Sequence, residues 1–306
     1  MVISVDFCGL NLTSPIVLLS GCIGYGDEYT RIEGFSNDEA GGLILKGAYS
    51  EARHGNEPHR VVETASGMLN SIGLQNPGAK YITEEILPRQ KFNTHIFANV
   101  CGSSVEEYAQ VTKIFHKSSV SAMEINISCP NVKKGGVEFG NNPDLSKQVI
   151  HACRQETDKP IIAKLSPNQT NIAESAEACI ESGANGLSVI NTVMGMAIDV
   201  EHQKPILGNT QGGLSGPAIK PIALLNVFKV FKVANPKGIP ILGQGGICNG
   251  KDAIEFILAG ATAIGLGTGL FYDPMAIKKI NAYISAYLEE KEVSSIADLV
   301  GRAHQD

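Results

Sequence analysis

Short β-branched, apolar runs recur along the chain, separated by stretches with helical spacing. The runs cover residues 16–20, 43–47, 95–100, 122–127, 161–165, 187–191, 239–243 and 263–267. Between them, apolar positions repeat with a helical period over 105–117, 143–156, 171–182, 219–233, 251–259 and 274–288. Eight strands alternating with helices predict a parallel sheet, and a count of eight favours a closed (β/α)8 TIM barrel over an open doubly wound sheet. A short N-terminal hairpin is expected around Gly9 and Thr13-Ser14-Pro15. No composition break marks a second domain, so residues 1–306 read as one barrel domain.

Two connections, 49–79 and 192–217, are too long for plain turns. Both follow strand candidates, so both belong on the C-terminal face, where barrel active sites are built. The strands also end in polar residues. Ser20, Lys46, Asn99, Asn126, Lys164, Asn191, Gly245 and Thr268 fall at or just after strand ends. Burying a lysine is unfavourable unless it is paired. Two lysines and three asparagines at such positions therefore predict a polar pocket.

Glycines cluster after the last two strands, in Gly243-Gln244-Gly245-Gly246-Ile247 and Gly267-Thr268-Gly269. Loops at these ordinal positions commonly bind phosphate, because glycine lets backbone N–H groups approach an anion. Neither loop fits GxGxxG, so a Rossmann dinucleotide site is not supported. Lys164 has two readings on residues alone. It could form a Schiff base with a carbonyl substrate, as in an aldolase, or place a positive charge against the electron-accepting edge of a flavin. A non-catalytic scaffold barrel is a third reading of the whole chain.

Composition narrows the setting. A net charge of -6 argues against general nucleic-acid binding. Seven cysteines without a CxxC pair suggest neither a disulfide framework nor a metal centre. The histidines lack metal-ligand spacing. There is no signal-like N-terminus and no apolar run of membrane-spanning length, so a cytoplasmic protein is expected. Cys153 and Cys179 lie on helical patterns and read as packing. Cys129 differs: in Glu124-Ile125-Asn126-Ile127-Ser128-Cys129-Pro130-Asn131 it follows a strand in an asparagine-rich setting. A thiol of ordinary pKa ~8.5 can serve as a base once a nearby cation lowers it.

These motifs resemble the class 1 dihydroorotate dehydrogenases along nearly the whole chain. Asn70-Ser71-Ile72-Gly73-Leu74-Gln75-Asn76, Asn126 to Asn131, Asn191-Thr192, Gly213-Leu214-Ser215-Gly216-Pro217 and Gly245-Gly246 carry the likeness. The run Pro130-Asn131-Val132-Lys133-Lys134-Gly135-Gly136, with Asn191 to Met196, resembles the class 1B catalytic subunit more than the fumarate-using class 1A enzymes.

The resemblance implies an FMN-containing barrel that oxidises dihydroorotate to orotate in pyrimidine synthesis. Cys129 would take the C5 proton while hydride passes from C6 to flavin N5, with Lys164 also catalytic. Lys46, Asn70, Ser71, Ile72, Gly73, Leu74, Asn126, Asn131, Asn191 and Thr192 would hold the substrate. Ser20, Lys46, Gly47, Asn99, Asn126, Lys164, Ile190, Gly216, Gly245, Gly246, Gly267 and Thr268 would hold FMN. Electrons would pass to NAD through a partner subunit carrying FAD and a [2Fe–2S] cluster, in a heterotetramer around a homodimer core. One departure is Gly21-Cys22-Ile23-Gly24, with Cys and Ile where the family more often has Thr and Phe. It adds a thiol near the cofactor.

Overall fold

The computed structural model describes residues 1–128 and 140–305. Eight parallel strands close a barrel: Ile16–Leu18, Gly42–Ile44, His95–Val100, Ala122–Asn126, Ile161–Leu165, Gly186–Val189, Ile241–Gln244 and Ala263–Leu266. Their order around the barrel is their order in the chain, and the eighth closes on the first through Ile264↔Ile16. Nearly every strand residue is buried. That is why each one appears in the sequence as a continuous apolar run and not as an alternation.

Helices Val105–His116, Pro143–Glu156, Ile172–Glu181, Lys220–Ala234, Gly250–Leu258 and Ala276–Glu290 fall within two residues of the expected segments. Their starts are set by local chemistry. The Ser104 hydroxyl accepts from Glu107 N, Asn142 accepts from Asp144 N and Leu145 N, and Asn249 forms a reciprocal capping box with Asp252. A 3-10 turn, Asn37–Glu39, takes the place of a long helix after the first strand; after the second comes the 49–79 excursion, followed by an unbroken helical stretch of mixed type made of Ala79–Tyr81, Ile82–Ile86 and Leu87–Arg89.

The expected hairpin pairs Val5–Phe7 with Leu10–Leu12. Its two-residue turn is Cys8-Gly9, both at positive φ, the twist that suits a tight hairpin. Phe7 and Leu12 are fully buried, and Cys8 Sγ reaches Asn185 O at the start of strand six. The hairpin therefore covers the N-terminal end of the barrel.

Two features differ from the sequence reading. Some strands stop early: the 43–47 run is strand only to Ile44, although Leu45 N and Ala48 N still bond Phe97 O and Asn99 O at 2.9 Å. Between those bonds Lys46 N donates to Gly24 O on the other side, which ties the loop after the first strand to this strand end. The two long loops, moreover, are not irregular. Val193–Gly195, Gly212–Ser215, Gly67–Asn70 and Val61–Thr64 form one four-stranded antiparallel sheet in that order. These strands have only three or four residues, and outside Val61–Thr64 they carry four glycines and little of the β-branched signature.

Cys153 and Cys179 are fully buried in helices, as expected of packing residues. Burial pushes both thiols up to about 12 from an ordinary value near 9.0. A folded-state value above the unfolded one means that the stabilising contribution is complete below pH 9 and is lost as pH climbs towards 12. Stability measured by urea unfolding is expected to fall over that range by about 1.4 kcal/mol per pH unit for each thiol. Replacing either cysteine with alanine flattens the slope; an unchanged slope in both variants contradicts the assignment.

Candidate active site

The two loops that share a sheet, together with the C-terminal ends of the barrel strands, enclose a cleft of about 270 Å³. Its charged floor comes from neighbouring strands. Register sets Asn99 beside Glu124 and Asn126 beside Lys164. The Lys164 side chain is 8 % exposed and its Nζ lies 3.3 Å from Oε2 of Glu124, which is fully buried. The same carboxylate accepts from Asn99 Nδ2 at 2.9 Å and from Ser188 Oγ at 3.1 Å. This answers the question raised by a lysine at an inward strand position. Its charge is met by a carboxylate one strand away, which is itself hydrogen-bonded on both oxygens. An ammonium held in this way offers a fixed positive charge and not a free amine nucleophile, which favours the flavin role over the Schiff base.

The asparagines form a second layer. Asn126 Nδ2 donates to Asn99 Oδ1 and Asn191 Nδ2 to Asn126 Oδ1, both at 3.4 Å. Asn191 Nδ2 also reaches Ser128 Oγ at 2.9 Å, and the Asn191 oxygen accepts from Thr192 N at 2.8 Å. From helix Val105–His116, the Tyr108 hydroxyl donates to Asn126 O at 2.8 Å and fixes the end of strand four.

The glycine side lies opposite. Gly216, Gly245 and Gly246 all have positive φ, and a Cβ on Gly246 would sit 2.8 Å from Gly216 O and 3.0 Å from Lys220 N. The neighbouring backbone leaves no space there for a side chain, so the loops stay bare. A phosphate approached by backbone is what such bare loops accommodate. The cleft thus fits a group with a phosphate at one end and a carbonyl-rich ring over Lys164, as FMN has.

Ser20, Lys46, Gly47, Asn70, Ile72, Gly73, Leu74, Asn126, Lys164, Ile190, Asn191, Thr192, Gly216, Gly245, Gly246, Gly267 and Thr268 all line the cleft. Asn99 lies beneath it, reaching it through Asn126. Ser71 faces away: it is fully buried and its hydroxyl accepts from Asn56 Nδ2 at 2.9 Å. It braces the Asn70–Leu74 loop, which Arg60 also clamps through Gln75 Oε1. Cys129 and Asn131 lie outside the described residues. The sequence reading gave no role to Glu124, Ser188 or Gln244. For Glu124 the signal was its spacing of two from Asn126 on one strand, which puts both on the same face.

Cys22 also lines the cleft. Burial pushes its thiol up to about 11, while Lys164 and Lys46 pull in the opposite direction.

No helix among the described residues is long and apolar enough to cross a membrane. A family model described as dihydroorotate dehydrogenase matches residues 2–288. The catalytic subunit of dihydroorotate dehydrogenase B (NAD(+)) from Desulforamulus reducens is 48 % identical over 297 residues, covering 96 % of each chain. The subunit of the same name from Anoxybacillus flavithermus is 46 % identical over 303 residues, 98 % of this chain and 96 % of the relative. With the barrel and its cleft, these matches along almost the whole length establish that the chain belongs to the dihydroorotate dehydrogenase family.

Proposed function

We propose that this chain is a flavin-bearing catalytic subunit that oxidises (S)-dihydroorotate to orotate in the cytoplasmic synthesis of UMP, with NAD as final acceptor. The observation that carries the proposal is one cleft joining a bare glycine cradle to the Lys164–Glu124 ion pair and its asparagines. Family membership points the same way, and the relatives' names include NAD(+) and the words catalytic subunit.

FMN bound there supplies the acceptor for the hydride that leaves C6. The remaining work falls to the chain's own residues. Ser20, Gly47, Ile190, Gly216, Gly245, Gly246, Gly267 and Thr268 hold the cofactor, with Asn99 acting through Asn126. Lys164 sets a positive charge against its ring. Lys46, Asn126, Asn131, Asn191, Thr192 and the Asn70–Leu74 loop hold the carboxylate and ring edges of the substrate. Cys129 takes the C5 proton. Electrons leave through a partner subunit carrying FAD and a [2Fe–2S] cluster, in a heterotetramer built on a homodimer of this chain.

The test is anaerobic. Purified protein is expected to be yellow, and dihydroorotate to bleach its flavin absorbance. NAD reduction is expected only when the partner subunit is present. Rapid fumarate turnover by this chain alone overturns the choice of acceptor; an unbleached flavin overturns the substrate.

A further inference from the structure

Gln244 is the last residue of barrel strand seven, where the chain turns into Gly245-Gly246. It is 2 % exposed, yet it lines the cleft. Its Nε2 donates to Ile190 O at 3.0 Å, and a carbonyl can only accept, so this bond fixes which end of the amide is which. The amide oxygen then points elsewhere and has no hydrogen-bond partner within the protein. Four other buried side-chain oxygens among the described residues share that condition, on Tyr25, Asn37, Gln90 and Thr112, and none of those residues lines the cleft. Beside Gln244 Oε1 is Gly265, itself part of the cleft, where a Cβ would lie 3.0 Å from that oxygen. The absent side chain leaves the oxygen room on the cleft side.

A buried amide oxygen without a donor is disfavoured, and native proteins seldom keep one without a reason. One placed in a binding cleft is satisfied if the ligand brings the donor. We propose that Gln244 Oε1 accepts a hydrogen bond from the bound flavin nucleotide, making Gln244 a positioning residue of the cofactor site. The inference rests on reading the cleft as a flavin site. Flavin nucleotides offer two donors of this kind, the ring N–H and the ribityl hydroxyls. Gln244 stands between the residues on each side, with Ile190 at one end of its amide and the glycine cradle next in the chain.

The test measures binding to cofactor-stripped protein by quenching of flavin fluorescence, with FMN and with lumiflavin, which has the ring but no ribityl chain. Gln244→Met keeps the length of the side chain and removes its acceptor. It is expected to weaken FMN binding about tenfold and to shrink the gain in melting temperature that FMN confers. Weakened lumiflavin binding as well assigns the ring N–H as donor; weakened FMN binding alone assigns the ribityl chain. Gln244→Asn, which withdraws the oxygen by one methylene, is expected to give a smaller loss and serves if the methionine variant does not fold. Wild-type affinity in a folded variant overturns the role of Gln244. Failure of the wild-type protein to bind FMN at all overturns the flavin reading instead.

Discussion

Cys129→Ser is expected to keep its flavin and lose most of its rate. Reduction of bound FMN by dihydroorotate at pH 7 should fall by about 10²–10⁴-fold, the usual contribution of a positioned base. The rate should recover as pH rises, because a hydroxyl gives up its proton far less readily than a thiol, whose ordinary pKa is ~8.5. Cofactor binding should survive, since apart from Asn126 the residues assigned to FMN lie on other strand ends and loops, and a serine keeps the size of the side chain. The residue just before it is firmly held. Ser128 is fully buried, its hydroxyl bonded to Asn191 and its N–H to Asn126 Oδ1. Asn191→Ala removes that brace and is expected to give a smaller loss than Cys129→Ser. Stopped-flow reduction under anaerobic conditions checks both. A serine variant that reduces its flavin normally at pH 7 removes Cys129 from the chemistry.

The barrel was legible because its strands are buried on both faces, so each announces itself as an uninterrupted apolar run. The cleft was legible in part for a related reason. At the strand ends the apolar code stops, and Asn99, Asn126, Lys164 and Asn191 stand out against it. What could not be read was anything that depends on which strand lies beside which, and in what register. Glu124 sits beside apolar residues and resembles a lone buried charge until the register sets its strand against that of Lys164. The sheet over the cleft joins 61–70 to 193–215, more than a hundred residues apart, through strands too short and too rich in glycine to show a period. Ser71 belongs to a motif with cleft residues on both sides, yet the left-handed turn at Gly73 and Leu74 and the packing on Asn56 send it inward. Sequence position gave the loop its role and could not say which of its side chains meet the ligand.

The Lys164–Glu124 pair joins stability to chemistry, and the two can be separated. Glu124→Leu strands a nearly buried ammonium and leaves Asn99 Nδ2 and Ser188 Oγ without the acceptor they now share. Breaking a buried pair from one side typically destabilises by about 3–5 kcal/mol, because the surviving charge has lost its compensation. Lys164→Met breaks it from the other side. It should do less damage, since Asn99 and Ser188 still donate to the carboxylate. The informative variant is the double one, Glu124→Leu with Lys164→Met, which removes both charges and refills the space. If the charges are coupled as the 3.3 Å contact implies, the double variant loses less stability than the two single losses added together, by more than about 1 kcal/mol. Strict additivity in urea unfolding would mean that the pair is not an energetic unit. Chemistry should divide differently. Both variants lacking Lys164 are expected to lose rapid flavin reduction whatever their stability, because the positive charge beside the ring is gone. A double variant that folds well and still reduces its flavin at the wild-type rate would make Lys164 a structural residue. The ion pair would then be only the means by which strands four and five share the barrel interior.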